Sequence, residues 1–318
     1  MIARALRLLL ALQLLLAAGL WLALCGAVRG AGPLAALLAG LGALALLLLV
    51  RMLITAHNFW LSWRFRSATP APFQLAPAQR WRLFAGEFAA TMLASSWHMP
   101  WPRACRHNAP GAGLPVLLVH GYVCTRGYWA PLSRLLAGSG IRHAALDLEP
   151  AGADIDDFVP ALHAALEELC ERSGAVHAVI VGHSMGGLVA RAYLRRHGAA
   201  RVARVITLGT PHHGTALSGL GFGRNARQMG RAGPLQPNAW LEALARSEDV
   251  RRRALFTSIF SHHDNIVAPQ TSAVLAGAKN IAFGGVGHVA LGRERRVLAC
   301  VLEEIALASA TVASSRSS

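Results

Sequence analysis

The spacing of apolar positions along this chain changes character several times, and the changes divide it. From Ala5 to Val28 and again from Pro33 to Val50 the residues are almost all apolar, mostly Leu and Ala. Each run is long enough to cross the roughly 30 Å hydrocarbon layer of a bilayer as a helix. Between Gln79 and Ser95, Trp81, Phe84, Phe88 and Met92 recur at helical spacing, which predicts an amphipathic helix resting on a sheet or on a bilayer. From about residue 114 onward, short apolar runs alternate with helical patterns. Runs near Val116, Ala144, Val179, Val205, Thr257 and Ile281 predict strands. Trp129 to Leu136, Asp157 to Arg172, Leu188 to Arg196 and Trp240 to Arg253 predict helices. Such alternation predicts the α/β class, with a mostly parallel, doubly wound sheet covered on both faces.

These patterns divide the 318 residues into four parts. Two transmembrane helices form an anchor over 1–56, and an aromatic and basic juxtamembrane segment with the amphipathic helix spans 57–109. The α/β domain spans 110–308, with a lid or cap candidate at 216–250, and a disordered tail occupies 309–318. The 54% hydrophobic content and the mean hydropathy of +0.40 follow from the two N-terminal runs rather than from an unusual core. Arg4 and Arg7 precede the first run, Arg51, Arg64 and Arg66 follow the second, and the link carries only Arg29. Positive flanks stay inside, so this placement predicts a membrane protein with its folded domain on the cytoplasmic side. A cleaved signal peptide is the alternative for the first run, although Leu22-Ala23-Leu24-Cys25 puts Leu where a lipoprotein site needs a small residue.

His57 to Arg66 interleaves Phe59, Trp60, Trp63 and Phe65 with Arg64 and Arg66, the chemistry of a membrane–water interface. A packed loop with solvated arginines is the plainer alternative. The net charge of +15 does not predict a nucleic-acid partner, because the arginines are scattered and no recognition motif accompanies them. Five cysteines, odd in number and widely spaced, fit neither a zinc site nor a paired disulfide framework. Cys124 reads as a small filler rather than a nucleophile.

Candidate chemistry centres on Gly182-His183-Ser184-Met185-Gly186-Gly187, which follows the apolar run Val176 to Val181 and precedes a helical pattern. A strand, a sharp turn and a helix in that order hold a serine hydroxyl exposed above a sheet. Gly182 and Gly186 flank a turn too tight for side chains. A glycine-rich loop in which Ser184 merely caps the helix is the alternative.

A serine acting as nucleophile needs a base, an acid to orient the base, and donors for an oxyanion. Asp264 follows the apolar run Leu255 to Phe260, and His288 lies in a glycine-rich loop after the short strand Asn280 to Phe283. Taken singly, each reads as a turn or loop residue; their order after the serine pairs them. Asp249 and Glu242 compete as acids but sit in a polar helical stretch with no strand before them. His183, His262 and His263 compete as bases. The amides of Met185 and Tyr122 are the candidate oxyanion donors, with Val123 the near alternative to Tyr122; the Tyr122 side chain reads equally well as packing at a pocket mouth.

Four strings stand in one order: Pro115 to Tyr122, Gly182 to Gly187, Ile206 to Thr215 with its Gly209-Thr210-Pro211-His212-His213-Gly214-Thr215, and the loops of Asp264 and His288. Over about Leu114 to Leu291 the chain thereby resembles the α/β-hydrolase family, and within it bacterial lipases and esterases. The resemblance implies hydrolysis of lipid or other acyl esters by Ser184, Asp264 and His288, without metal or organic cofactor. A thioesterase or amidase on the same fold, and a non-catalytic membrane adaptor on a hydrolase scaffold, are the alternatives. The segment Ala216 to Arg253 departs from the family pattern, and Ala216 to Asn238 is the lid candidate.

Overall fold

The computed structural model describes residues 1–27, 32–103, 105–107, 113–231, 233 and 236–317. Arg29, the domain boundary at residue 110, and Ala232, Pro234 and Leu235 of the lid candidate lie outside the described residues.

The chain opens with α1 (Ile2–Ala27) and α2 (Pro33–Arg64). No Gly or Pro occurs from residue 43 to residue 69, so nothing in the sequence interrupts helical propagation. The aromatic and basic segment from His57 is accordingly the last two turns of α2, not a separate juxtamembrane unit. The spans within α1 and α2 have hydropathies of 2.4 and 2.5 and are 0% and 6% buried. α3 (Pro77–Leu93) starts at Pro77, whose missing N–H removes no helical bond. Its buried residues are Leu83, Glu87 and Ala90. The aromatic stripe therefore does not rest on the sheet: Trp81 is 73% exposed, and Phe84 turns toward Phe59 of α2 with ring centroids 6.0 Å apart.

The sheet contains β1 (Arg106–His107), β2 (Val116–Val119), β3 (His143–Leu146), β4 (Ala178–His183), β5 (Val202–Leu208), β6 (Phe256–Ser261) and β7 (Lys279–Phe283). Their order is β1-β3-β2-β4-β5-β6-β7, parallel except for the β1 edge, which pairs antiparallel with β3. All six predicted strands are present; β1, two residues long, carries no periodic signal. The connection leaving β2 runs to one side of the sheet and that leaving β4 to the other. Between these neighbours, paired at Val119 and Gly182, lies the switch point where a crevice opens at the strand ends.

Covering helices are α4 (Ala130–Gly138), α5 (Val159–Ser173), α6 (Met185–His197), α7 (Gly223–Gln228), α8 (Ala239–Arg246), α9 (Val250–Ala254) and α10 (Arg295–Ser317). Strand side chains alternate between two cores. Leu117, Val119 and Ile180 meet Leu162 and Leu166 of α5 and Leu188 of α6, while Val116, Leu118 and Val181 meet Leu132 of α4 and Val297 and Val301 of α10. Each such side chain removed from water contributes about 1.5–3 kcal/mol.

Two helix expectations are corrected. Trp240 to Arg253 is two helices, because the Asp249 carboxylate accepts from Arg252 N at 2.7 Å and caps a new start. The tail expected to be disordered from residue 309 is helical through Ser317. Leu114 N donates to Ser309 Oγ at 3.1 Å, and Val312 packs on the core, so apolar contact continues along α10. α10 joins α1 and α2 as a helix long and apolar enough to cross a membrane, but one third of its span is buried against the sheet.

Candidate active site

Ser184 stands between β4 and α6 with φ 52° and ψ −122°, a conformation rare for a residue with a side chain. Its neighbours hold that strain in place: Ser184 N donates to Leu208 O at 2.8 Å, and the Thr210 hydroxyl donates to Ser184 O at 2.9 Å. A Cβ at Gly182 would lie 2.7 Å from Gly187 N, and one at Gly186 would overlap the Val119 carbonyl. Glycine is thus needed because two strand ends and a helix start meet within van der Waals distance. A Cβ at Gly121 would lie 2.9 Å from that of Ser184, so the loop carrying Tyr122 and Val123 closes directly on the serine. Val123, with φ 51°, is the other non-glycine residue at positive φ among the described residues. Met185 N opens α6, where the first amides have no helical acceptor and the helix end favours negative charge.

Asp264 and His288 meet at the ends of β6 and β7. His288 Nδ1 lies 2.8 Å from Asp264 Oδ2, and both residues are buried. Asp264 Oδ1 accepts from Ile266 N and Val267 N at 2.8 Å each, and His288 N donates to Asn265 Oδ1 at 2.9 Å. With a carboxylate at Nδ1, the proton of a neutral ring sits there and leaves Nε2 as the basic atom. Burial acts to lower the His288 pKa, but the Asp264 charge, its hydrogen bond and the more distant Glu87 outweigh it and raise the value above the ordinary one. Ser184 and His288 share no hydrogen bond among the described residues, yet one residue joins their surroundings. A Cβ at Gly209, just after the carbonyl that accepts from Ser184 N, would lie 3.2 Å from His288 Nδ1 and 3.0 Å from Asp264 Oδ2.

The competing residues have other partners. His183 donates from Nε2 to His288 O at 3.2 Å and stacks on Tyr128 at 4.2 Å. Burial holds it well below the ordinary histidine pKa. His263 Nδ1 accepts from Gly285 N at 3.1 Å, and burial takes its pKa down to about 4. The His262 ring lies 4.6 Å from that of Phe73. Glu242 sits on α8 beside Arg246, and Asp249 caps α9. Burial pushes the Cys124 thiol up to about 12, against the low value a thiolate nucleophile needs.

Glu87 escaped the sequence reading. It reaches from α3 into the histidine loop and is 1% exposed. Oε1 accepts from Val289 N at 3.0 Å and Oε2 from Ala290 N at 2.9 Å, so one carboxylate fixes the two residues that follow His288. Burial raises its pKa, opposed by those two amides and by His288. A lone Glu among apolar helical positions looks solvated in sequence, and only the bound loop shows otherwise.

Tyr122 does more than pack. Its hydroxyl donates to Phe222 O at 2.8 Å and accepts from Phe222 N at 2.7 Å. The described part of the lid candidate is held further where Asn225 Nδ2 donates to Ala151 O at 2.7 Å. Among the described residues no group of three or more His, Cys, Asp and Glu is placed to hold a metal ion.

Residues 115–232 match the α/β-hydrolase fold family. A triacylglycerol lipase of Burkholderia plantarii is 32% identical over 158 residues, 45% of this chain and 42% of the relative. A non-heme haloperoxidase of Rhodococcus erythropolis is 31% identical over 107 residues, 31% of this chain and 38% of the relative. The matched stretch thus spans about two fifths of the length of these curated relatives. Among solved structures, the mature lipase BlEst2 of Bacillus licheniformis superposes with a TM-score of 0.52 at 23% identity, covering 63% of this chain and 94% of that one. The parallel sheet with its switch point at Ser184, the family match across β2 to α7 and this shared architecture show that the chain has the α/β-hydrolase fold.

Proposed function

We propose that the chain is a membrane-anchored serine hydrolase that cleaves carboxylic esters of acyl lipids through Ser184, His288 and Asp264. The buried 2.8 Å pair of His288 and Asp264 behind a serine at positive φ is the observation that carries this reading. In the reaction, His288 Nε2 takes the Ser184 proton as Oγ attacks the ester carbonyl. The amides of Met185 and Tyr122 receive the charge that develops on the carbonyl oxygen. His288 then protonates the departing alcohol, and water repeats the cycle on the acyl-enzyme. Asp264 keeps Nδ1 protonated and offsets the positive ring. The lipase among the relatives supports ester substrates, and the exposed apolar faces of α1 and α2 support substrates drawn from a bilayer.

Both ends of the helical hairpin rest on the α/β domain: Ile2 N donates to Glu149 Oε1 at 3.0 Å, and just after α2 Ser67 N donates to Gln270 Oε1 at 3.1 Å. These contacts support a domain on the side where both ends emerge, and the flanking arginines favour the cytoplasm as that side. Ser184→Ala tests the chemistry. It should lose nearly all turnover of short acyl esters and all labelling by a serine-reactive phosphonate. Full turnover in that variant sinks the proposal, and preference for thioesters or amides over esters replaces it with one of the other chemistries.

A further inference from the structure

Where α2 leaves its apolar span, it forms one wall of a groove of about 980 Å³ that α3 and the loop after β6 complete. We propose that this groove binds one anionic membrane lipid, its phosphate between Arg66 and Arg80 and an acyl chain along Phe59, Trp60 and Phe84. The volume is near the upper end for a small-molecule site. Trp60, Trp63 and Trp81 are 50%, 60% and 73% exposed, and all three line it. Such rings are favoured at headgroup depth, where an apolar body and a polar edge are both satisfied.

The charge exposed in the groove has one sign, since Asp264 in its wall is buried. Arg66 lies over the Trp63 ring at 4.4 Å and donates to Trp63 O at 3.0 Å; Arg80 donates from Nε to Leu75 O at 3.1 Å. These contacts aim the guanidinium groups without neutralising them, and neither forms an ion pair among the described residues. The acid in the wall is Asp264, and its oxygens already serve His288, Ile266 and Val267. His263, neutral near pH 7, adds no charge. An uncompensated pair of arginines beside aromatic rings, at the end of an apolar helix long enough to span a bilayer, matches the phosphate and chain of a lipid in the adjoining leaflet. The floor of the groove also touches the site described above: Gln270 accepts from Ser67 N at 3.1 Å and donates to Asp264 O at 2.9 Å.

The test uses the full chain carrying Ser184→Ala in neutral detergent, so that lipid is not consumed and the outcome is independent of the hydrolase reading. Titration with dioctanoyl phosphatidylglycerol, followed by tryptophan fluorescence, should give saturable one-to-one binding, at least tenfold tighter than dioctanoyl phosphatidylcholine. Removing each arginine should weaken it roughly fivefold, so Arg66→Gln with Arg80→Gln should weaken it roughly 25-fold. Arg80→Gln alone serves if the double variant does not fold. Equal affinity for the two lipids, or unchanged affinity in the arginine variants, overturns the proposal. Displacement by inorganic phosphate at similar concentration does so too, because it would mark a phosphate site without a lipid.

Discussion

Glu87→Gln isolates the carboxylate that holds the histidine loop while keeping its shape. Each hydrogen bond from Val289 N or Ala290 N to a charged acceptor contributes about 1.5–3 kcal/mol. Glutamine keeps one acceptor and turns an N–H toward the second amide, so one bond is lost and a buried donor is stranded. Against this, the burial cost of the charge, visible in the raised pKa of Glu87, is relieved. The net destabilisation in urea should be about 1–2 kcal/mol, and Glu87→Ala, which loses both bonds, should cost about 3–5 kcal/mol. His288 immediately precedes these amides, and a shift of about 1 Å in a reacting group can cost up to about 100-fold. A fall in kcat of roughly 10- to 100-fold on a short acyl ester is expected in Glu87→Gln, with KM little changed because Glu87 touches no substrate. The ionised carboxylate raises the His288 pKa, so removing its charge should move the acid limb of activity to lower pH. A variant with kcat within twofold of the parent and an unmoved acid limb would refute the reasoning, whatever its stability.

Three further outcomes follow from the same geometry. Arg191, buried on α6, binds both Glu248 oxygens at 2.6 and 2.8 Å. Arg191→Ala should cost about 3 kcal/mol in chemical denaturation, at the low end for a stranded buried charge because Arg253 lies 3.4 Å from Glu248; a loss below about 1 kcal/mol would discount the pair. The raised His288 pKa means that the ring, required neutral to accept a proton, is protonated to higher pH than an ordinary histidine, so kcat/KM should fall with acidification through a midpoint above 6.5, and a midpoint below 6.5 contradicts the assignment. Gly186→Ala drives a methyl group into the Val119 carbonyl and should lower stability by about 1–3 kcal/mol while abolishing activity; parental melting temperature and turnover would show that the turn has slack.

That Ser184, Asp264 and His288 lie just past the ends of β4, β6 and β7 was legible, because each follows an apolar strand run. Local pattern carries that much, since the ends of parallel strands converge on one edge of the sheet. Glu87 was not legible, because its partners are backbone amides about 200 residues away that leave no mark in composition. Which face of α3 meets the sheet was not legible for a related reason: the helix has two contact faces, Phe84 toward α2 and Leu83, Glu87 and Ala90 inward, and the bulky aromatic stripe marks the outer one. The length of α2 was underestimated because Arg51, His57 and Asn58 look like the end of a span. Polarity ends a span but does not end a helix; Gly and Pro weaken one, and neither occurs between Gly42 and Pro70.

The continuity of α2 bears on how such an enzyme would search for substrate. Its 32 residues extend about 48 Å, beyond the roughly 30 Å hydrocarbon layer, and the surplus turns pack on α3 without an intervening linker. A domain mounted on a rigid post keeps one height and one tilt above the surface, unlike a domain on a flexible tether that sweeps a hemisphere. Its encounters are then two-dimensional: turnover should follow the mole fraction of substrate in the leaflet rather than the bulk concentration of dispersed ester, and a few Gly and Ser residues inserted after Ala56, between the span and the turns that pack on α3, should uncouple the two.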